Sequence, residues 1–225
     1  LFLKDYLSEF HNTKFSLKNI NLLLGNWVNY YSQVIYDRYE TIKKLKDKKQ
    51  DLKENFDLQP PVFDTTEFNQ KCSLSESYNN YLYQLISEVE YNLFEKKKLK
   101  SFIIKYKNKI SIKEKLLRLY FHLVSSSNDR IIAHPYLNWR EMIELSWKVR
   151  KSALFENMNF EYEVNYSIDM KKRFKIKEKI KNYDENIFIK LLPFLMPSSF
   201  LEGYKDIELI ANKYSYLSAK KIFTS

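Results

Sequence analysis

The stretch from Ser16 to Lys49 constrains the fold of this chain more than any other. Within it Leu24, Val28, Tyr31, Ile35, Arg38, Ile42 and Leu45 follow one another at steps of four and three, which puts them on one face of a helix. Ser16 stands where an N-cap belongs, its hydroxyl free to accept a first-turn N–H. The far end fades into Lys43, Lys44, Lys46, Lys48 and Lys49, positive charge that suits the negative end of a helix dipole. An interruption is expected at Gly25-Asn26, because glycine inside a helix costs roughly 1 kcal/mol against alanine. Arg38 is out of character on this face. A guanidinium in a packed face must be hydrogen-bonded, and Asp37, one step away, points elsewhere. The partner is therefore expected from another segment or from a ligand.

The rest of the composition agrees with a helical chain. Among 225 residues only 2 are glycine and 5 proline, too few for a fold built on tight turns. The same scarcity weighs against a GxGxxG or Walker-type phosphate loop. The formal charge is +10. That excess fits a basic surface for nucleic acid, lipid or phosphate, or a generic lysine-rich exterior. Lysine is spread along the chain rather than clustered, so the exterior is favoured and nucleic acid is not an expected partner. Cys72 is the lone cysteine, which excludes an intrachain disulfide and is compatible with a reducing cytoplasm. No apolar run approaches the ~20 residues of a membrane span, and no signal peptide opens the chain. A soluble chain is expected.

Further helices are expected over residues 1–10, 75–91, 111–124, 138–151, 184–192 and 199–214. The second carries Tyr78, Leu82, Leu85, Ile86 and Val89 as its apolar face. The third opens on Ser111 with Glu114 at the capping-box position and buries Ile112, Leu116, Leu119, Tyr120 and Leu123. Pro60-Pro61 forbids helix and makes residues 50–63 a surface connector. The best strand is Phe160 to Ile168. Residues 96–109 fit a strand or a helix, and Ile131-Ile132-Ala133 fits a short buried strand. The fold class expected is mainly α with a few short strands, α/β overall.

Residue typing names no reaction. His11, His122 and His134 lack metal-ligand spacing, and neither a HExxH, a CxxC nor a GxSxG pattern occurs. No metal and no cofactor are expected, and no catalytic residue is assigned. Asp64 and Glu67 read as a helix cap, and Arg173, set in a run of lysines, reads as part of a solvated face. Tyrosines at helical spacing read as core.

Three stretches carry a resemblance. The first is HNTKFS followed by LLLGNWVNYY and YDRY, from His11 to Tyr39. The second is Tyr78 to Tyr83, YNNYLY. The third is LPFLMPSSFLEGY, Leu192 to Tyr204, with KKIFTS at the end. Together they resemble the bacterial transferase family encoded beside O-antigen and other surface-carbohydrate genes. In that family a histidine-containing loop precedes a helix with a Gly-Pro-Trp step, and a Glu-Gly-Tyr segment leads to a Lys-Ile/Val-Phe-Thr-Ser strand. The chain departs from it at Asn26, where the family usually has proline. The resemblance covers most of the chain and the front part of the family's length.

The resemblance implies a glycosyltransferase-like enzyme of two lobes, with a nucleotide-sugar donor bound in the cleft between them and a glycan as acceptor. Residues 1–219 would form a helix-rich N-terminal lobe. Residues 220–225 would open a C-terminal α/β domain that lies beyond this stretch, so the stretch alone is expected to be inactive. Substrate-binding roles fall to His11, Asn12, Thr13 and Glu202, and Arg38 is available for donor phosphates. The location implied is the cytoplasm, including its face of the inner membrane. A basic helical nucleic-acid module and a non-catalytic scaffold are the alternatives.

Overall fold

The structure, a computed structural model, describes residues 1–47, 57–91, 93–94, 99–124, 130–133, 139–149, 154–156, 162–181, 183, 185–213 and 221–224. The chain begins with α1 (Phe2–His11), α2 (Leu17–Asp47), α3 (Thr65–Leu74) and α4 (Glu76–Glu90), then β1 (Ser101–Asn108). It continues through α5 (Ile112–Val124), β2 (Arg130–Ala133), α6 (Trp139–Val149), β3 (Leu154–Glu156) and β4 (Tyr162–Asp169). It closes with α7 (Met170–Lys179), α8 (Ile187–Leu195), a 3-10 turn at Ser198–Phe200, α9 (Tyr204–Lys213) and β5 (Lys221–Thr224). The fold is mainly helical with short strands, as expected.

Two compact units share these elements. One comprises residues 1–104 and 165–205, the other 105–164 and 206–225. The chain leaves the first along β1 and returns along β4, two strands paired as an antiparallel ribbon.

In the first unit α2 supplies the central face. Ser16 Oγ accepts from Asn19 N at 3.1 Å, and the helix then runs without interruption past Gly25 to Asp47. The break expected at Gly25-Asn26 does not occur, because one glycine's cost is small against a helix whose Leu24, Trp27, Tyr31, Ile35 and Ile42 are all buried. Each such side chain contributes roughly 1.5–3 kcal/mol on leaving water. The Trp27 and Tyr31 rings stack at 4.7 Å, and the Tyr31 hydroxyl donates to the Phe188 carbonyl on α8. Helix α4, capped by Ser75 Oγ on Tyr78 N, packs on α2 with Leu82, Leu85 and Ile86 fully buried. Asp64 caps α3 by accepting from Glu67 N at 2.8 Å, while the Glu67 carboxylate accepts from Phe63 N.

The connector expected on the surface is irregular but not superficial in its described part. Leu58, Pro61, Val62 and Phe63 are buried. Prolines exclude helix without excluding burial, provided the backbone finds partners. Here the Val62 and Phe63 carbonyls accept from Ser198 N and Ser199 N, both at 2.9 Å.

The second unit holds a parallel sheet in the order β3-β2-β5. Ile131 lies opposite Leu154 on one side and Ile222 on the other. The closing strand clusters with residues 105–164, and Ile222 and Phe223 lie opposite Ile131 and Ile132 in the sheet. Ser111 and Glu114 form the expected capping box, with Glu114 N on Ser111 Oγ at 3.2 Å and Ser111 N on Glu114 Oε2 at 2.8 Å. The face expected to be buried on α5 is not. Ile112, Leu116, Leu119 and Leu123 are 57–78% exposed. Leu117, on another side of the helix, is half-buried, so periodicity alone does not select the buried part.

Candidate functional site

Helix α7 organises the site-bearing half of the first unit. Asp169 caps it by accepting from Lys172 N at 3.2 Å, and Met170, Arg173 and Ile176 turn inward while Lys171, Lys172, Lys175 and Lys179 stay exposed. Arg173, expected on a solvated face, is instead fully buried. The reason is a set of partners on all three nitrogens. Its Nε donates to Glu202 Oε1 at 2.8 Å and Nη2 to Glu202 Oε2 at 2.6 Å. Nη1 donates to the carbonyls of Pro193 at 3.1 Å and Met196 at 2.8 Å. A planar fork with four short bonds is the arrangement that makes a buried guanidinium tolerable. Tyr6, whose hydroxyl titration is pushed up by burial, donates to the Arg173 carbonyl at 3.2 Å.

The same ties pull the segment from Leu192 to Tyr204 into a knot. Ser198 Oγ bonds the Tyr166 hydroxyl at 2.8 Å and the Val62 carbonyl at 3.2 Å, and Gly203 N donates to the Ser198 carbonyl at 2.8 Å. Gly203 sits so close to the Tyr166 ring that a Cβ there would lie 2.6 Å from it. His11 Nε2 meets the Phe200 carbonyl at 2.9 Å, its ring ringed by Phe10, Phe15 and Tyr204. Burial lowers the His11 pKa, the Phe200 carbonyl opposes that shift, and the positive charge of Lys172 adds to it.

Arg38 lies elsewhere in the unit, at the α2–α4 packing. Nη2 donates to the Asn79 side-chain carbonyl and Nη1 to the Val34 carbonyl at 3.2 Å, with the Tyr83 ring 5.9 Å away. The partner comes from another segment, as required, although Asp37 also reaches Nη1 at 3.8 Å. Cys72 lies under this packing, its thiol pushed up to about 11 by burial. A thiol in that state is a poor nucleophile.

Of the expected site residues, Asn12 and Thr13 face a cavity. They line a groove of about 560 Å³ between the end of α1 and the end of α7. Asp5, Ser8, Glu9 and Asn12 occupy one polar face of α1, and Lys14, Lys179 and Lys181 supply the opposing charge. Asn12 has φ 53°, the left-handed conformation that ends α1. His11 and Glu202 join the knot, where His11 Nε2 and both Glu202 carboxylate oxygens bond protein groups. The His122 side chain and His134 lie outside the described residues. Sequence reasoning overlooked Asp5, Glu9, Lys14 and Lys181. The signal available was the spacing 5, 8, 9, 12, a polar stripe on a helix whose other face is apolar. Among the described residues no group of His, Cys, Asp and Glu is arranged to hold a metal ion, and no helix is long and apolar enough to cross a membrane.

Neither the curated proteins nor the solved structures give a match to this sequence. A family comparison does, over residues 2–225, and the chain accordingly belongs to the LIC12162 family of transferases.

Proposed function

We propose that this chain is the helix-rich part of a sugar transferase of bacterial surface-polysaccharide biosynthesis, moving a sugar from a nucleotide-activated donor to a glycan acceptor. The family supplies the transferase chemistry. The observation that carries the nucleotide part is the order β3-β2-β5. From β2 the chain goes through α6 to β3 on one side, and β5 returns to the other side of β2. In open parallel sheets, nucleotide-bearing ligands bind off the carboxyl ends of the strands where the winding direction reverses. That point lies between β2 and β5, beyond Ala133 and Thr224.

Asn12 and Thr13 are the residues we assign to substrate. His11, Arg38 and Glu202 act as positioning residues through the contacts given above. The protein works in the cytoplasm, including the face of the inner membrane where lipid-linked glycans are extended.

The test is turnover by the whole gene product. It is incubated with uridine, guanosine, thymidine and cytidine nucleotide sugars and a lipid-extracted glycan acceptor, and release of free nucleotide is followed. Acceptor-dependent release with at least one donor supports the reading. Release with none overturns it.

A further inference from the structure

The groove between α1 and α7 has a charge balance that selects among the ligands of a sugar transferase. Its side chains include two carboxylates, Asp5 and Glu9, and three ammonium groups, Lys14, Lys179 and Lys181. One opposite pair is already matched, Lys179 donating to Glu9 Oε1, while Asp5 Oδ2 keeps its charge and accepts from the Tyr183 hydroxyl at 2.7 Å. Both α1 and α7 end here, and each helix C-terminus brings about half a negative charge. The remaining positive excess of the lysines is thereby largely cancelled. A diphosphate entering this groove would meet little net attraction.

What the groove does offer is a mixture of unspent donors and acceptors. Among the described residues Lys14 and Lys181 have no partner, and the Asn12 side-chain amide has none. The second oxygens of Asp5 and Glu9 carry no hydrogen bond from a described residue. Thr13 Oγ1 donates to the His11 carbonyl at 3.3 Å, leaving its lone pairs to accept. Alternating donors and acceptors without a dominant charge suit vicinal hydroxyls, each of which both donates and accepts. A volume of about 560 Å³ lies within the range of small-ligand sites.

We infer that this groove binds a neutral saccharide, the acceptor side of the reaction, and not the phosphate-bearing donor. The inference rests on the sugar-transferase reading but is tested separately from it. Asn12 presents its amide from a left-handed backbone position held by the α1 C-cap. Lys14 and Lys181 approach from the link after α1 and from the end of α7.

The experiment is an amide-resolved NMR titration of this chain with neutral di- and trisaccharides of glucose, galactose, rhamnose and N-acetylglucosamine, and separately with uridine diphosphate. Neutral saccharide should shift the signals of residues 12–14 and 179–181, with an affinity that barely changes between low and high salt. Asn12→Gly keeps the left-handed backbone, and with Lys181→Ala it should weaken saccharide binding about tenfold through lost hydrogen bonds. Lys181→Ala alone should act in the same direction, so the result does not depend on the Asn12 variant. Groove shifts with uridine diphosphate and none with saccharide would overturn the inference, as would saccharide shifts confined to other residues. Because the readout is binding, failure here leaves donor turnover by the gene product standing, and failure of turnover leaves the groove result standing.

Discussion

Arg173 and Glu202 meet fork to fork, with Nε–Oε1 at 2.8 Å and Nη2–Oε2 at 2.6 Å, and the arginine is sealed from water. The pair joins α7 to the turn before α9, and its third nitrogen holds the end of α8 through two carbonyls. Removing one member strands a buried charge, which typically costs about 3–5 kcal/mol. Arg173→Met and Glu202→Leu should therefore each lower the urea midpoint sharply. The double variant should recover much of the loss, since a well-packed apolar pair often matches a buried ion pair. Single variants as stable as the parent would show that the fork contributes nothing to this unit.

The two glycines should respond with opposite signs. At Gly25 an added Cβ meets nothing within 4 Å, so Gly25→Ala should raise stability by roughly 0.5–1 kcal/mol. At Gly203 the Cβ would fall 2.6 Å from the Tyr166 ring, and Gly203→Ala should cost about 1–3 kcal/mol. That cost should shrink when Tyr166 is replaced by leucine. Thermal melts of the four variants decide both points.

Stability should depend on pH through His11. Its pKa is lowered in the fold, chiefly by burial, so the unfolded chain takes up the proton first as pH falls. The contribution of neutral His11 is complete above the ordinary histidine pKa of about 6.5 and is lost as pH falls below it toward the folded value. His11→Gln keeps a donor for the Phe200 carbonyl and should flatten the fall of the urea midpoint as pH drops below about 6.5. A slope unchanged by the substitution would assign the dependence to other groups.

Burial, rather than helical periodicity, should decide which leucine-rich faces matter. Ile35 on α2 is 0% exposed, and Ile35→Asp should leave the first unit unfolded or insoluble. Leu116 on α5 is 62% exposed, and Leu116→Lys should change stability by no more than about 0.5 kcal/mol. Circular dichroism and solubility of the two variants make the comparison.

That contrast also marks what the sequence reveals. Ser16 and Ser111 announce their helices correctly because capping involves residues three apart and needs nothing from the rest of the chain. The α2 and α4 faces are legible because each has a single apolar arc. Arg173 is not, since its burial depends on a carboxylate and two carbonyls that follow it by 20 to 29 positions. The burial of Val62 and Phe63 depends in the same way on Ser198 and Ser199. Of the groove, Asn12 and Thr13 are singled out in the sequence by the family resemblance and by their place ahead of a long helix. The lysine that faces them from the end of α7 is not, because only the packing of α1 on α7 brings it there.

Neither unit is a continuous piece of chain, and the order of synthesis follows from that. The helices α1–α4 emerge first, yet Arg173 and the Ser198 turn that complete their core arrive only after the whole middle segment. The middle segment must wait in turn, because β2 acquires its β5 partner about ninety residues later, a separation that slows pairing. Both cores thus stay open until almost the last residue of this stretch has left the ribosome. Over that interval the part of the α4 face that packs on α8 is bare, which makes the nascent chain a natural client for holding chaperones.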